Sequence, residues 1–330
     1  MDRVNTASIV ESCRALPGVS VEDREDGASL RLASPEGRGR MDFYPLFPGL
    51  TLARIAVEAP SWPAPQPEAC TPEAKGPLLI NYCLRGRCEL ILNDRRHVFL
   101  TAGQVSLTER FAQKEYLYPG RLYEGVELFL DPETAEAGVP LLREGFDLDL
   151  TALRQRYCPG GETFLADLPL PEELVDRLLR TESAAGRKTG VIDLLALLLS
   201  EESPARAVQP VYCTRSQVEI ARQTERLLTE DLAHPPTLRQ LAERFGVSEG
   251  SVKNYFFAVY GESVSRYTAR QRMRLAAELL RGTRLSVIEV SGRAGYLNQS
   301  KFSAAFRRAY GRSPLEYRRE GRLPGSEDHP

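Results

Sequence analysis

Hydrogen-bonding side chains are concentrated near the C-terminal end of the chain, in the stretch GYLNQSKFSAAFRRAYGRSP at residues 295–314. Four polar residues in a row, 298–301, come before the basic pair Arg307 and Arg308. Amide, hydroxyl and cationic groups of this kind bond base edges or phosphates when they lie on a helix that enters a DNA groove. The intervening apolar residues share one helical face; they are Phe302, Ala305, Phe306 and Ala309. A short basic helix is also typical of an ordinary helical bundle, so this stretch alone leaves both interpretations open.

The same arrangement occurs a second time, earlier in the chain. The segment TLRQLAERFG (237–246) matches SVIEVSGRAG (286–295) in its Thr or Ser N-cap, its apolar positions and its terminal glycine. With one residue inserted, VKNYFFAVYGESVSRY (252–267) matches FSAAFRRAYGRSPLEY (302–317). The aligned pairs of this second match are Phe256/Phe306, Tyr260/Tyr310, Gly261/Gly311, Ser263/Ser313 and Tyr267/Tyr317. Such self-similarity indicates one structural unit made twice: a helix, a short turn and a second helix that opens with polar residues.

The segment between the two copies predicts a stiff connector. Residues 263–282 contain no proline and no interior glycine, and a helix of ~20 residues spans ~30 Å. Successive major grooves on one face of B-DNA are ~34 Å apart, so a connector of this length suits two units in adjacent grooves. A helical protein-interaction bundle, the alternative, explains neither the repeat nor the charge of this half.

Charge divides the 330-residue chain into two parts. Residues 211–320 contain 19 Lys and Arg against 11 Asp and Glu, a net charge of +8. Residues 1–210 contain 23 against 32, a net charge of −9. A basic back half favours a polyanionic partner, and an acidic front half favours a different one.

The front half has the pattern of a β domain followed by helices. Residues 24–130 contain short alternating runs, of which LLINYCLRGRCELILN is the clearest hairpin, and their spacing favours a barrel or a sandwich. From about residue 133 the period becomes helical. The segment 189–202 is apolar on so much of its circumference that we expect it to pack on two partners, the β domain and a second copy of the chain. Residues 203–215 predict a linker.

Residues 216–320 resemble the DNA-binding domain of the AraC/XylS family of bacterial transcription regulators. The segments that carry the resemblance are TLRQLAERFGVSEGSVKNYF, RMRLAAELLR and GYLNQSKFSAAFRRAYGRSPLEYR. Ala304 and Gly250 depart from the family, since many members have larger or polar side chains there; we therefore expect thin base contacts at both positions. Residues 321–330 are expected to form a disordered tail.

The resemblance implies which residues contact DNA. In the first recognition helix they are Glu249, Ser251, Lys253 and Asn254. In the second they are Asn298, Gln299, Ser300, Lys301, Ser303, Arg307 and Arg308. Lysine suits guanine O6 and N7, and Asn or Gln suits adenine. Individual side chains of this set are equally suited to phosphate or solvent. Arg272 and Arg274 are expected to contact phosphate or solvent. Five aromatic residues are expected to form core: Phe256, Tyr260, Phe302, Phe306 and Tyr310.

For residues 1–202 the resemblance implies a cupin-like domain that senses a ligand and dimerises. A metal-dependent cupin enzyme needs several histidines, but this region contains His97 alone, which we expect to be exposed in a turn. An alkyl-transfer DNA-repair enzyme needs an activated cysteine, and the six cysteines lack CxxC spacing. We therefore predict no catalytic residue, no metal and no cofactor. The predicted effector lining consists of Ile80, Tyr82, Leu84, Leu90 and Leu92; a barrel filled by its own side chains is the alternative.

The sequence thus predicts an α+β fold: an N-terminal β-barrel or cupin-like domain with dimerisation helices, and a C-terminal all-α domain with two helix-turn-helix units joined by a long helix. The predicted function is that of a transcription regulator that binds double-stranded DNA as a homodimer and responds to a small-molecule effector. RNA polymerase is a further candidate partner. An architectural DNA binder without an effector stays open. No signal peptide and no bilayer-spanning run are seen in the sequence, which favours the cytoplasm.

Overall fold

A computed structural model describes residues 6–63, 77–92, 95–109 and 115–321. The predicted tail, apart from Gly321, lies outside these residues. The chain forms two compact units, Met1–Tyr212 and Cys213–Pro330. Within the described ranges, no helix is both long and apolar enough to cross a membrane.

Antiparallel strands make up most of the first unit. They are β1 (Val19–Arg24), β2 (Gly27–Ser34), β3 (Gly37–Phe47), β4 (Leu50–Glu58), β5 (Ser61–Pro63), β6 (Leu78–Ile91), β7 (His97–Thr101), β8 (Gln104–Thr108), β9 (Glu115–Leu117), β10 (Tyr123–Leu130), β11 (Phe164–Asp167) and β12 (Arg206–Ala207). Ten of them form one sheet in the order β1-β2-β3-β4-β10-β6-β8-β11-β12, with β7 on β6, while β5 pairs with β9. Among the described strands this sheet is open, because β1 pairs only with β2 and β12 only with β11. The closed barrel expected from the sequence is therefore wrong for this part of the chain.

The helices of the first unit lie on both faces of the sheet: the first helix packs on one face, and the other five pack on the other. They are α1 (Thr6–Cys13), α2 (Pro132–Gly138), α3 (Leu141–Glu144), α4 (Leu150–Tyr157), α5 (Glu172–Leu179) and α6 (Ala184–Leu199). Strand residues such as Leu52 and Leu128 form one buried cluster with α4, α5 and α6. The opposite face has its own buried cluster, which includes Phe43 and Trp62. The strands have two buried faces because side chains alternate along them and both faces are covered.

Helix α6 is the wide apolar helix expected at residues 189–202. Its buried residues Val191, Leu194 and Leu198 join the helix-covered cluster, and even Ile192 and Leu199 pack partly against it. The first of the two partners predicted for this helix, the β sheet with its associated helices, is confirmed. The second partner, another copy of the chain, stays a prediction. Residues 203–215, where a linker is expected, contain β12 and the first residue of the next helix.

The second unit is helical. Its helices are α7 (Arg215–Glu230), α8 (Leu238–Phe245), α9 (Glu249–Tyr260), α10 (Val264–Gly282), α11 (Val287–Arg293), α12 (Gln299–Tyr310) and α13 (Pro314–Gly321). The predicted repeat is confirmed as α8-turn-α9 and α11-turn-α12, and the connector as the 19-residue helix α10. The two copies have separate buried clusters, one around Phe256 and one around Phe306. Helix α10 contributes to both, with Tyr267 in the first and Ala276 in the second.

Candidate nucleic-acid interface

The first helix-turn-helix is fixed by side-chain caps at its helix ends. Thr237 forms a capping box with Gln240 at the start of α8. Gly246 ends this helix at φ 65°, the left-handed region in which glycine is favoured. Ser248 then accepts a hydrogen bond from the backbone N–H of Ser251 at 3.0 Å, which starts α9 two residues after the glycine.

The second helix-turn-helix repeats this construction with other residue types. Ser286 and Glu289 form the capping box of α11, and the hydrogen bonds from Ser286 hold the pKa of the Glu289 carboxyl below its usual range. Gly295 in the turn has φ 74°. Asn298 caps α12, its Oδ1 accepting from the backbone N–H of Lys301 at 2.9 Å. Gly311 ends α12 in the left-handed region.

Each copy holds its second helix with the same cluster of three aromatic rings. In the first copy the rings of Phe256, Tyr260 and Tyr267 have centroid distances of 4.5, 5.3 and 5.2 Å. In the second, Phe306, Tyr310 and Tyr317 have distances of 4.7, 5.3 and 5.0 Å. Phe256 and Phe306 are fully buried. The expectation that Phe256 and Phe306 form core is confirmed, and Tyr260 and Tyr310 pack partly against the same clusters. These rings therefore stabilise the helices rather than stack on bases.

The predicted contact residues of α9 lie at its exposed N-terminal half. Glu249, Lys253 and Asn254 are exposed. Ser251 is half-buried, and its hydroxyl lies 2.9 Å from the hydroxyl of the N-cap, Ser248. Ser251 therefore already has a partner within the protein, whereas the other three side chains present their charged and hydrogen-bonding groups to solvent.

In and just before α12, most of the predicted contact residues are also exposed. Exposed side chains are Asn298, Gln299, Ser300, Lys301, Arg307 and Arg308, while Ser303 is half-buried. The carbonyl oxygen of the Asn298 side chain is used in capping, so its amide nitrogen is the group left to face a ligand. Ala304 and Gly250, the two departures from the family pattern, are both exposed. Each position thus has room for a longer side chain facing solvent.

Three further residues of this helical unit have an exposure or a partner that the sequence pattern does not reveal. Leu297, directly before the N-cap of α12, is fully exposed at 108%, and Phe257 on α9 is 58% exposed. The sequence pattern does not reveal their exposure, because a hydrophobic residue in a helical pattern is normally assigned to the core. The third, Arg272, is half-buried and donates to two backbone carbonyls, instead of facing phosphate or solvent as expected.

Comparison with known proteins identifies the family of this helical region. A family model described as a helix-turn-helix domain matches residues 241–320. The regulatory protein SoxS of Salmonella typhimurium is 30% identical over 91 residues, which cover 28% of this chain and 85% of SoxS. The chain belongs to the AraC/XylS family.

Other known proteins match a similar share of the chain, between 26% and 33%. The HTH-type transcriptional regulator AlkR of Acinetobacter baylyi is 30% identical over 86 residues, 26% of this chain and 28% of AlkR. The match thus spans little more than a quarter of AlkR. Among solved structures, the C-terminal domain of AraT, a response regulator from Geobacillus stearothermophilus, is 33% identical and covers 33% of this chain and 92% of that domain, with a TM-score of 0.31. The family consists of transcription regulators with a helix-turn-helix DNA-binding domain.

In the first unit, the structure does not bring the five predicted effector residues together. Ile80 and Tyr82 lie in the helix-covered cluster, and Leu84 packs against it. Leu90 packs against the cluster on the opposite face, and Leu92 lies just after the end of β6. The two groups separate because the β6–β10 register shifts between Glu124 and Gly125, which changes the side of the sheet that the later residues of β6 face.

The opposite face carries buried polar groups. Asn81 donates to the carboxyl of Glu127 at 2.7 Å, and the hydroxyl of Tyr123 bonds the side-chain oxygen of Asn81. All three are at least nine-tenths buried. Burial raises the pKa of Glu127 to about 7, since the charged carboxylate loses its hydration.

His97 is not exposed, which corrects the sequence-based expectation. It begins β7 and is 8% exposed, with Nδ1 2.6 Å from Oε1 of Glu89 on the neighbouring strand. In the part of the chain that the structure describes, no group of three or more His, Cys, Asp and Glu is arranged to hold a metal. The described cysteines are all buried, and desolvation raises the pKa of Cys83 to about 12, which disfavours a nucleophilic thiolate.

Proposed function

We propose that this chain is a sequence-specific transcription regulator whose two helix-turn-helix units bind adjacent major-groove segments. The observation that carries the proposal is the repeat itself: α9 and α12 have the same length, the same aromatic support and exposed polar N-terminal halves. They flank α10, whose 19 residues measure about 29 Å along the axis. That length is close to the ~34 Å between successive major grooves on one face of DNA.

The proposed contact residues have different roles in DNA binding. Lys253 and Lys301 suit guanine, and Asn254 and Gln299 suit adenine. Ser251 and Asn298 act first as parts of helix caps, which fix the angle at which each recognition helix begins. Arg307 and Arg308 follow one turn or more behind the base readers and suit phosphates. Glu249, Ser300 and Ser303 complete the proposed set.

We further propose that the acidic first unit binds a small-molecule effector and pairs two chains, so that the effector changes which DNA half-sites are held together. Support comes from the family and from the buried polar face around Asn81 and Glu127, which offers hydrogen-bonding groups within an apolar surface. The predicted boundaries (1–202, 203–215 and 216–320), the homodimer and the contact with RNA polymerase belong to this proposal. An architectural binder without effector remains its alternative.

The first experiment is DNase protection by the full-length chain on the DNA upstream of its own gene. Two protected segments about one helical turn apart, both required for tight binding, support the proposal. Lys253→Ala should weaken the DNase protection of the first segment, and Lys301→Ala should weaken the protection of the second. Arg31→Ala, an exposed arginine of the sheet in the first unit, is the control for loss of one positive charge. Uniform, salt-sensitive coating shared by all variants would contradict sequence-specific reading.

A second experiment addresses the effector. Small metabolites are screened for a rise in the melting temperature of the full-length chain, and each hit is repeated with Glu127→Gln. This variant retains the carbonyl that accepts from Asn81 but removes the titratable carboxyl. A hit that stabilises the chain and shifts its DNA affinity supports a sensor. Hits that bind without any effect on DNA affinity contradict the regulatory part of the proposal.

A further inference from the structure

The two helix-turn-helix units are joined by few features besides α10. Their hydrophobic clusters are distinct, the first built around Leu241, Val252 and Phe256 and the second around Val290, Phe302 and Phe306. Helix α9 packs mainly on α7 and α8, and α12 on α10, α11 and α13. A single shared helix fixes the distance between two bodies well, but it resists bending and twisting much less. The angle between the recognition helices therefore needs a further contact.

Arg272, in the middle of α10, makes such a contact. Its Nε donates to the carbonyl oxygen of Leu232 at 2.8 Å, and its Nη2 to that of Ala233 at 3.3 Å. Both carbonyls belong to the connection between α7 and α8, which leads directly into the first helix-turn-helix. Asp231 holds this connection in shape, because its side chain accepts from the backbone N–H groups of Ala233 at 2.9 Å and His234 at 3.2 Å.

The same guanidinium also meets the turn of the second helix-turn-helix. It lies over the ring of Tyr296, 5.8 Å from the centroid. The Tyr296 ring in turn contacts Phe302 of α12 at a centroid distance of 5.7 Å. One side chain thus links the α7–α8 connection to the base of the second recognition helix.

Gly295 shows how close this approach is. A Cβ at this position would lie 2.8 Å from Nη2 of Arg272 and 2.8 Å from the carbonyl oxygen of Leu232. Its φ of 74° also favours glycine. The turn of the second helix-turn-helix therefore comes within contact distance of the α7–α8 connection, with the Arg272 side chain between them.

We propose that Arg272 is a positioning residue: it fixes the angle between α9 and α12 and so sets the spacing of the two DNA segments that one chain accepts. An arginine suits this role because its planar guanidinium bonds two carbonyls and presents a face to an aromatic ring at the same time. The inference rests on the proposed function, in which both recognition helices bind DNA together.

The test compares two duplexes that differ by one base pair. The wild-type full-length chain first selects a tight-binding duplex from a random pool, and DNase protection locates its two segments. A second duplex carries one extra base pair between them, which turns one segment by about 35° around the axis relative to the other. Affinities of wild type, Arg272→Ala and Arg272→Lys are measured on both duplexes and on a duplex with the second segment scrambled.

Wild type should lose at least about tenfold in affinity on the longer duplex, because a rigid pair of helices can follow only one segment. Arg272→Ala should bind the longer duplex less than about threefold more weakly than the shorter one. The loss of affinity for Arg272→Lys should lie between those of wild type and Arg272→Ala, since lysine keeps one cationic donor group. Binding to the scrambled duplex should be the same for all three proteins. A loss of affinity on every duplex alike would be a merely structural effect and would overturn the proposal.

Arg274→Ala is the matched control. Arg274 lies two residues further along α10, is exposed and pairs with Glu278 at 3.1 Å on the same helix. Any affinity lost by this variant should be equal on both spacings. Gly295→Ala disturbs the contact from its other side, and should relax the spacing preference even if Arg272→Ala does not fold; melting temperatures identify the folded variants.

The failures are distinguishable. If Arg272→Ala and Gly295→Ala fold and keep the wild-type penalty for the extra base pair, the positioning role is overturned while two-segment binding stands. If wild type protects two segments but binds both duplexes equally, the positioning role alone is overturned. If wild type protects one segment, or binds the scrambled duplex as tightly as the selected one, two-segment binding is overturned, and the positioning role with it.

Discussion

The two recognition helices have the same architecture but different surfaces. Helices α9 and α12 are both 12 residues long, start at a side-chain N-cap and end at a left-handed glycine. Helix α9 carries one acidic and one basic residue, whereas α12 carries three basic residues and no acidic one. In the repeat, Phe257 and Ala258 of the first copy occupy the positions of Arg307 and Arg308 in the second.

This difference shows which parts of the unit its fold requires. The aromatic cluster and the terminal glycine are the same in both copies because they support the second helix. The exposed positions differ because they are free to serve the ligand. We infer that the second copy supplies most of the phosphate binding, while the first adds base contacts with little charge.

The largest expected effect tests whether the two copies are separate in stability. Phe256→Ala and Phe306→Ala should each lower the free energy of unfolding by about 3–5 kcal/mol, because each removes a fully buried ring. Hydrogen exchange, read by mass spectrometry on the full-length chain, should show the main loss of protection within the mutated copy. Phe257→Ala, which removes an exposed ring, is the control. Equal loss of protection in both copies would mean that they unfold together.

The next largest effect tests the unequal charge. Arg307→Ala combined with Arg308→Ala should weaken DNA binding by about 2 kcal/mol, or thirtyfold, since two charge-assisted phosphate contacts are lost. The slope of log affinity against log salt should become shallower by about 1.8. Arg31→Ala with Arg38→Ala removes two exposed arginines of the first unit and should leave both quantities unchanged. An unchanged salt slope in the α12 double variant would show that these arginines do not contact phosphate.

An effect of similar size tests the two aromatic clusters against each other. The Tyr267 hydroxyl donates to Glu225 at 2.6 Å, whereas among the described residues no hydrogen bond is seen to the hydroxyl of Tyr317. Tyr267→Phe should therefore cost about 1–3 kcal/mol in urea unfolding, because it leaves the part-buried Glu225 carboxylate without this donor. Tyr317→Phe should cost less than about 0.5 kcal/mol. Equal losses of unfolding free energy would mean that the two hydroxyls contribute equally to stability.

The smallest effect transfers a feature of one copy to the other. Phe257→Arg gives α9 the residue found at the corresponding position of α12. It should raise DNA affinity by about threefold and steepen the salt slope by about 0.9, through one added phosphate contact. Phe257→Gln, polar but uncharged, should leave the salt slope unchanged. If the arginine variant shows no change in slope, the C-terminal halves of α9 and α12 do not lie alike on the DNA.

The second unit could be predicted almost completely from the sequence, because its signals are local. Capping residues such as Thr237 and Ser286, the glycines at helix ends and the 3.6-residue periodicity each act within a few neighbouring residues. The repeat reinforced them, since each copy confirmed the other. The recognition helices followed directly from this pattern, whereas the resemblance to the AraC/XylS family implied which of their residues contact DNA.

The predictions for the first unit were less complete, because long-range pairing decides its faces. The alternation in LLINYCLRGRCELILN correctly predicted strand, but a register shift opposite β10 sends Leu90 to a different face from Ile80. His97 looked exposed beside two arginines, yet its partner Glu89 comes from the adjacent strand. Alternation gives the period of a strand but not the irregularities that its neighbours impose.

The sequence by itself determined the kind of protein: its two-part charge, its helix-turn-helix repeat and its membership of a regulator family. Only the tertiary structure decided which cations are exposed and which are held by the protein itself. Arg272 and Arg274 are equivalent in sequence, two arginines on one helix, but the fold brings two carbonyls and a tyrosine ring to the first and leaves the second exposed. A charged side chain takes the partner that distant segments bring to it, and that arrangement depends on the packing of the whole unit.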